Sequence, residues 1–166
     1  MEGFSTQEEL HNLTVQGNAV NENTVEQIAV MLKRKMPEHL QELHLIHAKV
    51  VWRATDDLLR QIRQRSYLRK LSLVEAGLND FSLVNLCEVV RTQKTLQSLD
   101  ISWNSLMPAQ IKPLIEILQK NRRLTNLNLS WNSIMEVGKE DDESYIAYSK
   151  EVSVMLGKMI KHSKVM

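Results

Sequence analysis

The chain has 166 residues, 43% of them hydrophobic and 25% charged, which is the size and composition of a single folded domain. Its formal net charge of +1 argues against a dedicated nucleic-acid-binding protein, because such proteins carry a clear basic excess. Cys87 is the single cysteine, so an internal disulfide is excluded and a reducing compartment is expected.

A leucine-rich template recurs five times along the chain, starting at residues 10, 40, 68, 96 and 124. The clearest copies read LQSLDISWNSL and LTNLNLSWNSI, at 96–106 and 124–134. If the starting leucine is position 0, each copy has apolar residues at positions 3, 5 and 10 and asparagine or alanine at position 8. Successive copies begin 30, 28, 28 and 28 residues apart, and such a fixed period is the signature of a leucine-rich repeat solenoid. We therefore predict a single α/β repeat domain over 1–166.

The first part of each repeat is predicted to be a short strand. Positions 3 and 5 are apolar, which is the two-residue period of a strand with one buried face. The asparagine at position 8 can hydrogen-bond backbone groups where the chain turns away from the strand. Ala48 and Ala76 replace it in the second and third repeats, so an incomplete asparagine ladder is expected.

The second part of each repeat is predicted to be a helix, because apolar residues recur there at helical spacing. These stripes are Val25, Ile28, Ala29 and Leu32; Leu58, Leu59 and Ile62; Leu83, Leu86, Cys87 and Val90; and Ile111, Leu114, Ile115 and Leu118. Cys87 is therefore interpreted as a small buried hydrophobe rather than a reactive thiol. Strand–helix units stacked in register build a parallel sheet on a concave face and helices on a convex face.

The pattern changes after Ile134. An acidic insertion is predicted over about 136–148, centred on residues 140–143, and a helix over about 149–163. The stripe of that helix is Val152, Met155, Leu156, Met159 and Ile160. Val165 would then begin a further repeat, which favours a fragment of a longer chain over an end covered by a partner.

The period of 28 residues and the full helices resemble the ribonuclease-inhibitor-like class of leucine-rich repeat proteins. The resemblance implies a right-handed βα superhelix with a horseshoe arc. Members of the class are mostly protein-binding scaffolds and inhibitors. They include the actin-pointed-end cap tropomodulin, Ran GTPase-activating proteins, innate-immunity sensors and axonemal subunits such as the leucine-rich subunit of the nexin–dynein regulatory complex.

The expected function is a non-catalytic scaffold that binds a partner protein, as a subunit of a cytoskeletal or axonemal assembly. The resemblance thus implies a cytoplasmic protein associated with the cytoskeleton or cilium. The alternative that it implies is a regulator of a small GTPase similar to Ran-activating proteins, for which Arg53 is the only candidate loop arginine. The first residues lack the pattern of a secretory signal, and no apolar run is long enough to span a bilayer, so no membrane insertion is expected.

Side chains at repeat positions 2, 4 and 6 are expected on the concave face, and those at position 7 at its rim. The candidate partner-binding residues come from these positions: Lys70, His44, Asp100, Asn128, Ile46, Val74, His47, Glu75, Trp103 and Trp131. Trp103 and Trp131 are expected on neighbouring strands about 5 Å apart, in positions that the core does not need. They are either a binding hot spot, with Ile46 and Val74 extending an apolar patch, or they pack on loops of their own chain.

No enzyme, cofactor, metal site or small-molecule substrate is expected. His44, Ser72 and Asp100 have the composition of a catalytic triad, but their order across the strands puts serine between the two groups that must touch. His39, His44 and His47 lack the carboxylates or cysteines that would complete a metal site.

The helices end in basic residues, which are Lys33, Arg34, Lys35, Arg63, Arg65, Arg91, Lys94, Lys120, Arg122, Arg123, Lys158, Lys161 and Lys164. Cations at these places complement the helix dipoles. They could also form a docking edge for an acidic partner, and nucleic-acid binding there is the weakest of the hypotheses.

Overall fold

Strands and helices alternate in the computed structural model, which describes residues 10–17, 21–34, 39–48, 52–64, 67–135 and 143–162. The strands are β1 (Asn12–Gln16), β2 (Glu42–Ile46), β3 (Lys70–Val74), β4 (Ser98–Asp100) and β5 (Asn126–Asn128). The helices are α1 (Glu22–Arg34), α2 (Trp52–Gln64), α3 (Asp80–Thr92), α4 (Pro108–Lys120) and α5 (Glu143–His162), with a 3-10 turn at Ser133–Met135.

The five strands form one parallel sheet in sequence order. Its register joins equal repeat positions, so that Leu71 lies beside Leu43 on one side and Leu99 on the other. Parallel neighbours require a crossover connection, which the helix between each pair of strands supplies. The α/β leucine-rich repeat solenoid predicted from the sequence is confirmed.

The core lies between the sheet and the helices. It contains the apolar residues of strand positions 3 and 5 in β2 and β3, together with the apolar stripes of α1 to α4. Each helix packs against the next one along the chain. Apolar burial stabilises the fold by roughly 25 cal/mol for each Å² removed from water, so this shared core holds the repeats in register.

The asparagine ladder closes turns in the preceding repeat as well as in its own. The Oδ1 atom of Asn104 accepts hydrogen bonds from the backbone N–H groups of Ala76 and Leu78, at 3.0 and 3.2 Å. Thr55 of α2 donates from Oγ1 to the carbonyl of Ala76 at 2.6 Å. The turn at Ala76 has no asparagine of its own, and its hydrogen bonds come from both neighbouring repeats. Asn132 bonds the turn at Asn104 in the same way.

The C-terminal helix begins six residues before the predicted start of 149, so residues 143–148 belong to α5 and not to an insertion. Tyr145 explains the earlier start, because its ring is buried and its hydroxyl donates to the carbonyl of Ser133 at 2.6 Å. Ser149 donates to the carbonyl of Ile134 at 3.0 Å. The residues 136–142 of the predicted insertion and the start of a further repeat at 163–166 lie outside the described residues. Among the described helices, none combines the length and apolarity needed to cross a membrane.

Cys87 is expected to be inert in the folded protein. Its side chain is 9% exposed, and burial raises the pKa of the thiol from 9.0 to about 11, against the attraction of Arg91. Because the thiolate is the reactive form, iodoacetamide should label the native protein at least tenfold more slowly than the urea-unfolded chain at about pH 8. Similar labelling rates for the two states would contradict the burial.

The same shift predicts a pH dependence. The folded state holds the thiol proton more tightly, so the free energy of unfolding should fall as pH rises from about 9 towards about 11. The Cys87→Ala variant has no thiol to titrate, so its free energy of unfolding should fall less over this pH range. Urea-unfolding curves recorded at several pH values measure the difference.

Candidate partner-binding site

The rim row consists of the five residues at repeat position 7, where each strand ends: Gly17, His47, Glu75, Trp103 and Trp131. All five have a positive φ, between 50° and 115°. The N–H groups of Gly17, His47, Glu75 and Trp103 each donate to the position-6 carbonyl of the following repeat, at 2.9–3.1 Å. The left-handed backbone is thus part of how consecutive repeats bond to each other.

Trp103 and Trp131 stack in the rim row, with ring centroids 4.4 Å apart and an angle of 19° between their planes. They are 47% and 68% exposed. The structure brings the two indoles together, as the strand register predicts, and leaves much of both rings in solvent. Packing of both rings beneath loops of their own chain is therefore not what the described residues show.

The backbone makes tryptophan an unfavourable choice at this position. A bulky residue with positive φ costs on the order of 1 kcal/mol or more, whereas glycine adopts the conformation freely. Gly17 occupies the same position in the first repeat with a φ of 115°. The fold does not need an indole there, so the two tryptophans are best explained by what their side chains contact.

His47 and Glu75 form the next pair in the rim row. The Nδ1 atom of His47 lies 2.8 Å from Oε2 of Glu75, and both side chains are more than a third exposed. The rim row therefore changes from a polar pair to an aromatic pair within four repeats.

Glu42 is the hub of the polar network on the concave face. Its carboxylate lies 2.8 Å from Nζ of Lys70, accepts a hydrogen bond from Asn12 at 3.0 Å, and lies 3.6 Å from Nε2 of His44. The hydrogen bond from Lys70 is the main reason that the pKa of Glu42 is lowered.

The three residues with the composition of a triad belong to two separate groups. His44 Nδ1 lies 2.7 Å from the hydroxyl of Ser72. Asp100 instead accepts hydrogen bonds from Asn128 Nδ2 at 2.9 Å and from the hydroxyl of Ser102 at 2.7 Å. The carboxylate beside His44 is that of Glu42, which Lys70 holds more closely. Asp100, the acid of the triad considered from the sequence, thus bonds side chains other than His44.

The predicted apolar patch beside the tryptophans is smaller than expected. Val74 is only 9% exposed and Ile46 is partly buried. The two residues are direct neighbours in the register of β2 and β3. The exposed apolar surface at the rim is therefore the tryptophan pair itself.

His39, His44 and His47, the three histidines close in sequence, have different partners. His39 stacks on His11 with ring centroids 5.7 Å apart, whereas His44 and His47 contact Ser72 and Glu75. In the described part of the chain, no group of three or more histidine, cysteine, aspartate or glutamate side chains could hold a metal ion.

The described basic residues at the helix ends lie at the edge of the sheet opposite the rim row, because each helix ends where the following strand is about to begin. Lys35, Arg65 and Lys164 lie outside the described residues. A shallow groove of about 310 Å³ lies between the ends of α3 and α4, lined by Val90, Arg91, Glu116, Ile117, Lys120, Asn121 and Arg123. Arg91 pairs with Glu88 at 2.6 Å. The groove mixes both charges, because Glu116 lines it together with Arg91, Lys120 and Arg123.

The chain matches no family model and no curated relative. It is similar to solved structures, among them the actin-binding site 2 of leiomodin-1, with a TM-score of 0.59 and 14% identity. The likeness covers 81% of this chain and 71% of that chain. At this level of identity it shows a shared fold, and a shared fold does not transfer a function by itself.

Proposed function

We propose that this chain is a non-catalytic protein-interaction module that binds a partner protein through the rim row and the concave face. The observation that carries the proposal is the exposed stack of Trp103 and Trp131, held in a backbone conformation that disfavours large side chains. Tryptophan is among the residues most enriched at binding hot spots, where it buries a large area with little loss of rotamer freedom.

The assembly that we propose is cytoskeletal. A solved structure with the same fold is an actin-binding site of leiomodin-1, which supports a cytoskeletal partner for this chain. An axonemal assembly rests on the class resemblance alone. Arg53, on which the alternative of a GTPase regulator depends, is the second residue of α2 rather than a loop residue.

The test replaces both tryptophans with glycine, which adopts a positive φ without strain. Trp103→Gly/Trp131→Gly relieves two left-handed residues and loses one aromatic stack, so the free energy of unfolding should change by no more than about 1 kcal/mol. Binding of the partner should fall by at least about tenfold, because truncating a hot-spot residue removes about 2 kcal/mol or more. The readouts are capture of proteins from native extract, identified by mass spectrometry, and co-sedimentation with purified actin filaments.

Val84→Ser/Val154→Ser is the matched control, because these residues are 64% and 56% exposed on helices α3 and α5. The control removes exposed apolar area away from the rim row and should capture the same proteins as the unchanged chain. If the glycine variant also captures the same proteins, the tryptophan stack is not a binding device and the proposal fails.

A further inference from the structure

Of the three carboxylates described on the concave face and rim row, one forms an ion pair with a lysine or arginine. At repeat positions 2, 4, 6 and 7, all within the described residues, the acidic side chains are Glu42, Glu75 and Asp100, and the one lysine or arginine is Lys70. Lys70 bonds Glu42 at 2.8 Å. The side-chain partner of Glu75 is a histidine, and those of Asp100 are an amide and a hydroxyl. Asp100 also accepts a hydrogen bond from the backbone N–H of Ser102 at 3.0 Å, so neither Glu75 nor Asp100 pairs with a lysine or arginine among the described residues.

Both carboxylates belong to the repeats next to or containing Trp103. Glu75 precedes Trp103 in the rim row by one repeat, and its backbone N–H donates to the carbonyl of Ser102 at 3.1 Å. Asp100 ends β4, three residues before Trp103. An exposed indole face attracts cations through its quadrupole, and a neighbouring carboxylate adds direct charge attraction. An exposed indole face and a carboxylate in the same region favour binding of a positively charged group.

A guanidinium fits this combination better than an ammonium. It is planar, so it stacks on an indole face while its edge donates two parallel hydrogen bonds to a carboxylate. An ammonium is more strongly hydrated and makes only point contacts. Arginine is therefore the side chain that uses both features of the site at once.

The charge distribution of the whole domain favours the same orientation. The exposed basic residues at the helix ends lie at the opposite edge of the sheet, and they include Lys33, Arg63, Lys94, Lys120, Arg122 and Arg123. A basic segment is repelled by that edge and attracted to the rim row.

We propose that the partner segment bound at the tryptophan stack is basic, and that an arginine of it stacks on the exposed indole while it bonds Glu75 or Asp100. This inference rests on the proposed function and adds the chemical class of the partner to it.

The first test measures binding of short labelled oligoarginine, oligolysine and oligoglutamate peptides by fluorescence anisotropy. The unchanged chain should bind oligoarginine about fivefold more tightly than oligolysine and should not bind oligoglutamate. Trp103→Gly/Trp131→Gly and Glu75→Gln/Asp100→Asn should each weaken oligoarginine binding by about tenfold.

Glu26→Gln/Glu116→Gln is the control for net charge, because it removes the same number of negative charges from exposed helix positions. This control should change oligoarginine binding by less than about twofold. Equal weakening by both carboxylate pairs, or tighter binding of oligoglutamate, would overturn the inference.

Capture from native extract separates this inference from the function on which it rests. If the tryptophan variant loses its partner and Glu75→Gln/Asp100→Asn keeps it, the module binds through its indoles but the partner segment is not recognised as basic. If both variants keep every partner, the proposed function fails as well. Loss of the same partner from both variants supports both.

Discussion

Asn104→Ala is expected to lower the free energy of unfolding by about 3 kcal/mol or more. The side chain is half-buried and accepts hydrogen bonds from two backbone N–H groups of the preceding repeat. It also donates to the carbonyls of Leu73, Ile101 and Ser102. Alanine would leave these backbone groups without their partner, and each buried group left in that state costs about 1–3 kcal/mol.

Urea unfolding followed by circular dichroism measures this loss. Asn126→Ala is the matched control, because Asn126 is exposed on β5 and should cost less than about 0.5 kcal/mol. Asn104→Asp should also destabilise the domain, since a carboxylate keeps the acceptor atoms but lacks the N–H donors. Losses for Asn104→Ala as small as those of the control would show that the turns do not depend on the ladder.

Leu71→Ala is expected to cost about 3 kcal/mol, within the 2–5 kcal/mol range of leucine-to-alanine changes in protein cores. Leu71 lies at position 3 of the central repeat, is 1% exposed, and has a leucine beside it on each neighbouring strand. The loss combines the transfer free energy of the removed atoms with the cavity that they leave.

Leu13→Ala tests whether position in the solenoid sets this cost. Leu13 occupies the same repeat position in β1, where it has one neighbouring strand and is only partly buried. In the same urea experiment, Leu13→Ala should lower the free energy of unfolding by about half as much as Leu71→Ala, because folding buries less apolar area at Leu13. A Leu13→Ala loss as large as that of Leu71→Ala would mean that the terminal repeat is as tightly packed as the centre.

In the rim row, the backbone serves the fold, whereas the side chains can vary to serve binding. The backbone at position 7 repeats in every copy, with a positive φ at each of the five residues, while the side chains change from glycine to histidine, glutamate and tryptophan. A solenoid can vary these side chains because the bonds that join its repeats at this position are made by the backbone.

The candidate site was predictable only in part. The strand register follows from the repeat period, so the sequence indicates correctly that Trp103 and Trp131 are neighbours. Whether the rings are covered depends on the neighbouring loops, and the structure leaves them exposed. The burial of Val74, which is 9% exposed, was not predictable from the strand pattern, because repeat position 6 is expected on the concave face.

The amino-acid sequence by itself determined the repeat class, the parallel order of the strands and most of the core, because a fixed period forces equal positions into register. Tertiary structure decided the start of α5, since Tyr145 gains its buried place and its hydrogen-bond partner only when the chain folds back on Ser133. Tertiary structure also decided that Asn104 and Thr55 supply hydrogen bonds to the turn at Ala76. Both outcomes depend on contacts between residues 12 to 28 positions apart, which no local pattern contains.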